Sequence, residues 1–165
     1  NFERVGDHAV NIMEVAQKIN AEKLELSEIA LKELNIVEQA VLEITEITVE
    51  AFRNLDSAKA RNIEPLEEVI DDMVVKLKDR HVGRLKNGQC TTATGMAFVD
   101  LITNLERVAD QCSNIALLIM SHNDSSIIGN YHGYLKELHK GGEATYDAEL
   151  ARRKEQYLKQ LNKLM

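Results

Sequence analysis

Apolar side chains return every three or four positions through four long stretches of this 165-residue chain. That rhythm belongs to amphipathic helices with one buried face. In the first stretch Phe2, Val5, Ala9, Ile12, Ala16 and Ile19 keep the spacing without a break. An acidic linker from Asn20 to Leu26 follows, and Ser27 is placed to cap a second helix. There Ala30, Leu34, Val37, Val41, Ile44, Thr48, Ala51 and Leu55 alternate steps of four and three. The third stretch begins near Ser57 and runs through Ile63, Leu66, Ile70, Met73 and Leu77. Pro65 inside it predicts a kink or a restart. Asn87-Gly88 ends it. The fourth, from about Thr92 to Met120, uses Thr94, Phe98, Leu101, Leu105, Val108, Cys112, Ile115 and Ile119. Residues 121–133, with Gly129 and Gly133, read as a loop. A last, polar helix over roughly Glu143 to Leu164 has only a thin apolar stripe of Leu150, Tyr157, Leu161 and Leu164. The expected helices are 1–19, 28–55, 57–87, 91–121 and 143–164. Long heptad-bearing helices with short connections predict an all-α antiparallel bundle.

Composition agrees with that reading. There is one Pro and no Trp, and aromatics make up 4% of the chain, which suits helices better than sheets. No run of 18 apolar residues is present, so the chain is not expected to span a membrane itself, and no charged-then-apolar leader opens it. Residues 1–82 carry 18 acidic and 10 basic side chains, against 9 and 10 in residues 83–165. A chain without a concentrated basic surface is a poor partner for nucleic acid. Cys90 and Cys112 form no CxxC pair, and a reducing, cytosolic setting is the simpler expectation.

One segment occurs twice, 103 residues apart. Asn1-Phe-Glu-Arg-Val-Gly-Asp-His-Ala-Val-Asn-Ile-Met13 recurs as Asn104-Leu-Glu-Arg-Val-Ala-Asp-Gln-Cys-Ser-Asn-Ile-Ala116, with seven of thirteen positions identical. Duplication of this kind marks a repeated structural unit. Two helices separate the copies, so the unit is a three-helix bundle with the motif on its third helix. The chain is then read as the last helix of a first repeat (1–20), a complete second repeat (27–121) and a C-terminal helical extension (134–165). Within the motif Glu3 and Asp7, like Glu106 and Asp110, stand four apart, hence one turn apart on one face. Asn11 and Asn114 follow one turn later as possible supporting groups. Glu67 and Asp71 repeat the spacing on the third helix. Stripes of oxygen donors suit a hard cation, with magnesium, manganese or iron ahead of zinc. On the heptad Glu106 and Asp110 fall at outward positions, so exposed carboxylates without strongly raised pKa values are expected. His8, His81, His122, His132 and His139 share no ligand spacing and are read as ordinary polar residues. With no nucleophile elbow, phosphate loop or dinucleotide fingerprint, nothing points to an enzyme.

The segments 3–12 and 105–116 resemble the two signature segments of the PhoU family. The resemblance implies three-helix bundles related by pseudo-twofold symmetry. It also implies a Glu/Asp-x-x-x-Asp signature that binds metal ions, including iron clusters, on the outer helix faces. Carried onto this chain, the signature picks out Glu3, Asp7, Glu106 and Asp110, and more weakly Glu67 and Asp71. Arg80-His-Val-Gly-Arg-Leu-Lys-Asn-Gly-Gln-Cys90, Phe98-Val-Asp-Leu101 and the Tyr/Lys-rich C-terminal helix are similar to the PhoU-like region that follows the membrane domain of bacterial sodium/phosphate cotransporters. That similarity implies a cytoplasmic regulatory domain at the inner face of the cell membrane, attached to a transporter domain of the same protein. The alternatives are a free-standing PhoU-type restraint on an ATP-driven phosphate uptake system and its signalling, or a purely structural helical module. The apolar seam of residues 1–19 (Phe2, Val5, Ile12, Ile19) needs a cover, and a homodimer is expected to supply it.

Overall fold

The computed structural model describes residues 1–124, 127 and 130–164. Helix α1 spans Phe2–Ala21, α2 Glu28–Asn54, α3 Ser57–Ala60, α4 Ile63–Lys86 and α5 Thr92–Asn123. Then come α6 (Tyr131–Leu138), α7 (Ala144–Arg153), a π-helical turn over Lys154–Leu158, and α8 (Lys159–Asn162). Among the described residues there is no strand. The all-α expectation holds.

Local chemistry sets the boundaries. Ser27 caps α2 by accepting the Ala30 N–H at 3.3 Å, which satisfies one orphan donor of the first turn. Leu55 closes α2 in the left-handed region at φ 50. Asp56 then caps the single turn of α3 through the Lys59 N–H at 2.9 Å. The restart predicted around Pro65 falls between α3 and Ile63, and Pro65 sits in the first turn of α4, where its missing N–H would have had no partner anyway. Thr91 caps α5 through the Thr94 N–H at 3.1 Å.

The core forms around α5, against which α1, α2 and α4 all pack. Phe98, Ile102, Leu105, Val108 and Ile115 from α5 meet Val37, Ile44 and Ala51 of α2 and Leu66, Ile70, Met73 and Leu77 of α4. Helix α4 approaches α5 closely at Gly95, where a Cβ would stand 2.4 Å from Nε2 of the buried His81. α1 contributes no fully buried residue. Its Val5, Ile12, Val15 and Ile19 lie half-buried against the core, while Phe2, Val10 and Met13 remain exposed. Helix α5 of the same chain thus covers most of the α1 seam, and Phe2 at its start stays open.

The stretch expected as a loop at 121–133 is partly helical. α5 continues through Asn123, and α6 opens at Tyr131 because Tyr131, Tyr134, Leu135 and Leu138 fall at helical spacing; the first three pack on the core and Leu138 is buried. Residues 125, 126, 128 and 129 of that stretch, with Gly129, lie outside the described residues. The C-terminal helices lie on α4 and α2, burying Tyr157 and Leu161. Glu43 of α2 accepts hydrogen bonds from Arg153, Tyr157 and, at 3.1 Å, Gln156. That is a polar seam around a thin apolar stripe.

Candidate metal centre

Helical geometry divides the acidic run of α4 between two neighbours. Glu68 and Asp72 turn toward the C-terminal helix. Tyr146 Oη donates to Glu68, and Lys154 Nζ stands 3.4 Å from Glu68 and 3.6 Å from Asp72. Glu64, Glu67 and Asp71, at steps of three and four, turn instead toward α5. There they meet Ser113, Asp110 and Glu106, which occupy matching steps on the facing helix. Ser113 Oγ donates to the buried Glu64, whose other oxygen accepts from His139 Nε2 at 2.8 Å. Lys78 Nζ pairs with Glu106 at 2.9 Å.

Between these two ends Glu67, Asp71 and Asp110 converge, each offering an oxygen within 4.8 Å of the others. They are the one group of three or more such ligands among the described residues. Glu67 is 9% exposed. Burial, followed by the charges of Glu64, Asp71 and Asp110, holds its carboxyl far above the ordinary range. Burial also raises Asp71 to about 6, with Glu106 and Asp110 adding to the shift and Lys78 opposing it. Like charges this close cannot all ionise without a counter-charge, so they share protons or take up a cation. A further sign comes from Asp71 Oδ1, which is buried and accepts no hydrogen bond. A buried acceptor left unpaired costs on the order of 1–3 kcal/mol. Three converging carboxylates, one of them with a buried and unpaired oxygen, fit a hard cation that would keep water in its other positions.

This corrects two expectations. Glu106 and Asp110 are half-buried at the α4 interface rather than outward. Raised carboxyl pKa values do occur in the group. The heptad reading failed because α5 has neighbours on three sides, so positions outward from one seam are covered by another helix.

The other expected ligands are placed elsewhere. Glu3 and Asp7 are exposed on α1 and join no converging group among the described residues. Asn11 Nδ2 donates to Asn104 Oδ1 at 3.2 Å, and His8 Nδ1 lies 3.2 Å from the same oxygen. The polar residues of the first motif therefore help fasten α1 to α5. Asn114 is exposed and donates to the Asp110 carbonyl at 2.9 Å rather than into the cluster. Glu64, Ser113 and His139 were missed as neighbours of the site. Glu64 stands three residues before Glu67 and continues its stripe, which was a readable signal. His139 left none, because it arrives from the far end of the chain.

The family model of the PhoU domain matches residues 20–119. The phosphate-specific transport system accessory protein PhoU homolog 1 of Thermotoga maritima is 28% identical over 115 residues, covering 70% of this chain and 49% of that protein. The PhoU homolog of Streptococcus pneumoniae is 27% identical over 115 residues, covering 70% of this chain and 52% of its own length. This chain thus spans about half the length of these curated relatives. No solved structure matches it significantly. The matched region contains α2 to α4 and most of α5, including all three converging carboxylates, and by that match the chain belongs to the PhoU family.

Proposed function

We propose that this chain is a metal-binding regulatory domain serving phosphate transport, with Glu67, Asp71 and Asp110 as the ligands and Glu106 beside them. The observation that carries the metal assignment is the buried, unpaired Asp71 Oδ1 within a converging carboxylate trio. A bound cation would supply the counter-charge that ties α4 to α5. Manganese, iron or magnesium suits this all-oxygen set better than zinc. Glu64, held by Ser113 and His139, keeps a further negative charge near the ion without being needed as a ligand. Glu3 and Asp7, with Asn11 close by, are proposed as half of a second site that other residues would have to complete. Regulation rather than catalysis is favoured by the naming of the relatives as accessory proteins.

Two settings fit. Residues 80–101 and the C-terminal helix favour a domain attached to a sodium/phosphate cotransporter at the inner membrane face. The accessory-protein relatives favour a separate partner of an ATP-driven uptake system. No described helix is long and apolar enough to cross a membrane, so either setting places the transporter elsewhere. A homodimer through the exposed Phe2, Val10 and Met13 of α1 belongs to the same proposal.

Elemental analysis after reconstitution with manganese or ferrous iron tests the metal. Wild type should retain the ion through gel filtration, and Asp71→Asn with Asp110→Asn should not. Retention by the double variant refutes the site. Deleting the coding region in its host separates the settings: loss of sodium-dependent phosphate uptake marks the first, and derepressed ATP-driven uptake the second.

A further inference from the structure

At the opposite end of α4 from the start of the acidic run, two arginines share one carboxylate. Glu33 of α2 is fully buried. Arg80 Nη1 donates to it at 3.0 Å and Arg84 Nη1 at 2.7 Å. The arginine side chains are only 19% and 11% exposed. Arg80 gives a further hydrogen bond to the Leu161 carbonyl at 3.0 Å, which is neutral. The group therefore keeps one uncompensated positive charge in a poorly solvated place. Arg84 Nη2 is buried with no hydrogen-bond partner, and its guanidinium lies 5.3 Å from the Phe98 ring centroid, a contact that does not supply an acceptor. Both arginines line a cavity of about 370 Å³ together with Glu33, Asn87, Gln89 and Leu164.

We infer that this cavity binds a phosphate-type oxyanion, either free inorganic phosphate or a phosphomonoester headgroup. An unneutralised buried charge is expensive, and water can satisfy a donor without cancelling charge. Guanidinium groups bind phosphate through paired N–H donors. The Asn87 and Gln89 amides extend that donor set at the exposed mouth, whereas their backbone N–H groups are already bonded to Gly83 and Arg84. A tetrahedral anion can use more of these donors than a carboxylate can. The opposing charges are Glu33 itself, on the wall, and Glu28 in the adjoining depression, where Lys32 pairs with it at 2.6 Å and the exposed Lys163 also lies. The site is separate from the carboxylate trio and does not depend on the metal assignment.

Isothermal titration of the full chain with inorganic phosphate, against chloride at equal ionic strength, is the test, with a parallel flotation arm using phosphatidic acid vesicles against phosphatidylcholine. Saturable phosphate binding that falls at least tenfold in Arg84→Gln and severalfold in Asn87→Ala with Gln89→Ala is expected. Glu33→Gln, which frees both guanidiniums, should tighten it. The exposed Asn87 and Gln89 keep the test valid should Arg84→Gln not fold. Binding to phosphatidic acid vesicles alone, lost in the Asn87/Gln89 variant, assigns the headgroup as the source. No binding in either arm, or binding unchanged in the Asn87/Gln89 variant, overturns the inference.

Discussion

The same Glu-x-x-x-Asp spacing occurs on α1 and on α5, yet the two copies live in different electrostatic worlds. Glu3 and Asp7 are exposed and join no converging group among the described residues. Asp110 is folded against α4, so that Glu67 and Asp71 come within ligand distance of it, and those two α4 carboxyls resist ionisation. The difference lies in the partner helix. A four-residue spacing is half a site, and an antiparallel neighbour with its own acidic stripe makes it whole. For Asp110, α4 provides that neighbour; α1 meets instead the α5 face carrying Asn104.

The largest expected effect breaks this comparison directly. Removing two ligands from the trio, by Glu67→Gln with Asp110→Asn, should weaken manganese or iron binding by at least about 100-fold, since even second-shell losses cost 10–100-fold. Glu3→Gln with Asp7→Asn should leave affinity at the trio within about twofold, because those residues do not reach it. Titration calorimetry on both double variants measures the contrast. Equal losses would mean that the α1 stripe belongs to the same site.

Proton linkage sharpens the contrast. The folded pKa of Glu67 lies above its unfolded value, so the carboxyl is neutral in the native state where it would be ionised in the unfolded chain. Its contribution to stability is therefore fully present below the unfolded pKa and is lost as pH rises toward the folded one. Metal-free protein should become more stable as pH falls from 8 to 5, by on the order of 2 kcal/mol, given about 1.4 kcal/mol per pKa unit and the coupling of Glu67 to Asp71. Glu67→Gln should flatten that slope in urea melts taken across the range. Because ligands must shed protons to bind a cation, metal uptake near pH 7 should also release acid.

Much of this was legible along the chain. Ser27, the restart near Pro65 and the alternating apolar steps of α2 and α5 announced the helices, because caps and one-sided burial are local properties. The carboxylate pairs were legible as spacing. Their rotation about the bundle was not: which face of α5 meets α4 depends on three simultaneous packings, and a single heptad assignment describes one of them. Helix α6 was hidden by glycines on either side of Tyr131, which outweighed an apolar pattern only eight residues long. Likewise, Glu64 sat in plain view at step three before Glu67, but its partners come from α5 (Ser113) and from the residue that ends α6 (His139), and could be found only in space.

The smallest expected effect concerns the edge of the centre. Lys78 pairs with Glu106 at 2.9 Å, and both side chains are partly open to water, at 37% and 27%. An ion pair so exposed contributes little to stability, about 0.2–1 kcal/mol, so Lys78→Met should lower the unfolding free energy by no more than that. Its electrostatic role is more visible. Lys78 opposes the upward shift of Asp71, while Glu106 reinforces it. Removing the lysine leaves Glu106 free beside the trio, adds a net negative charge and provides a fourth available carboxylate. Metal affinity should therefore rise severalfold in Lys78→Met while stability of the apo protein barely falls, and the gain should shrink as salt screens the added charge. In the double variant Lys78→Met with Glu106→Gln the gain should vanish, because the released carboxylate is gone. Opposite movements of affinity and apo stability in one variant, measured by calorimetry and urea melts at two salt concentrations, identify Glu106 as held in reserve by Lys78. A parallel fall in both would make the pair a simple clasp between α4 and α5.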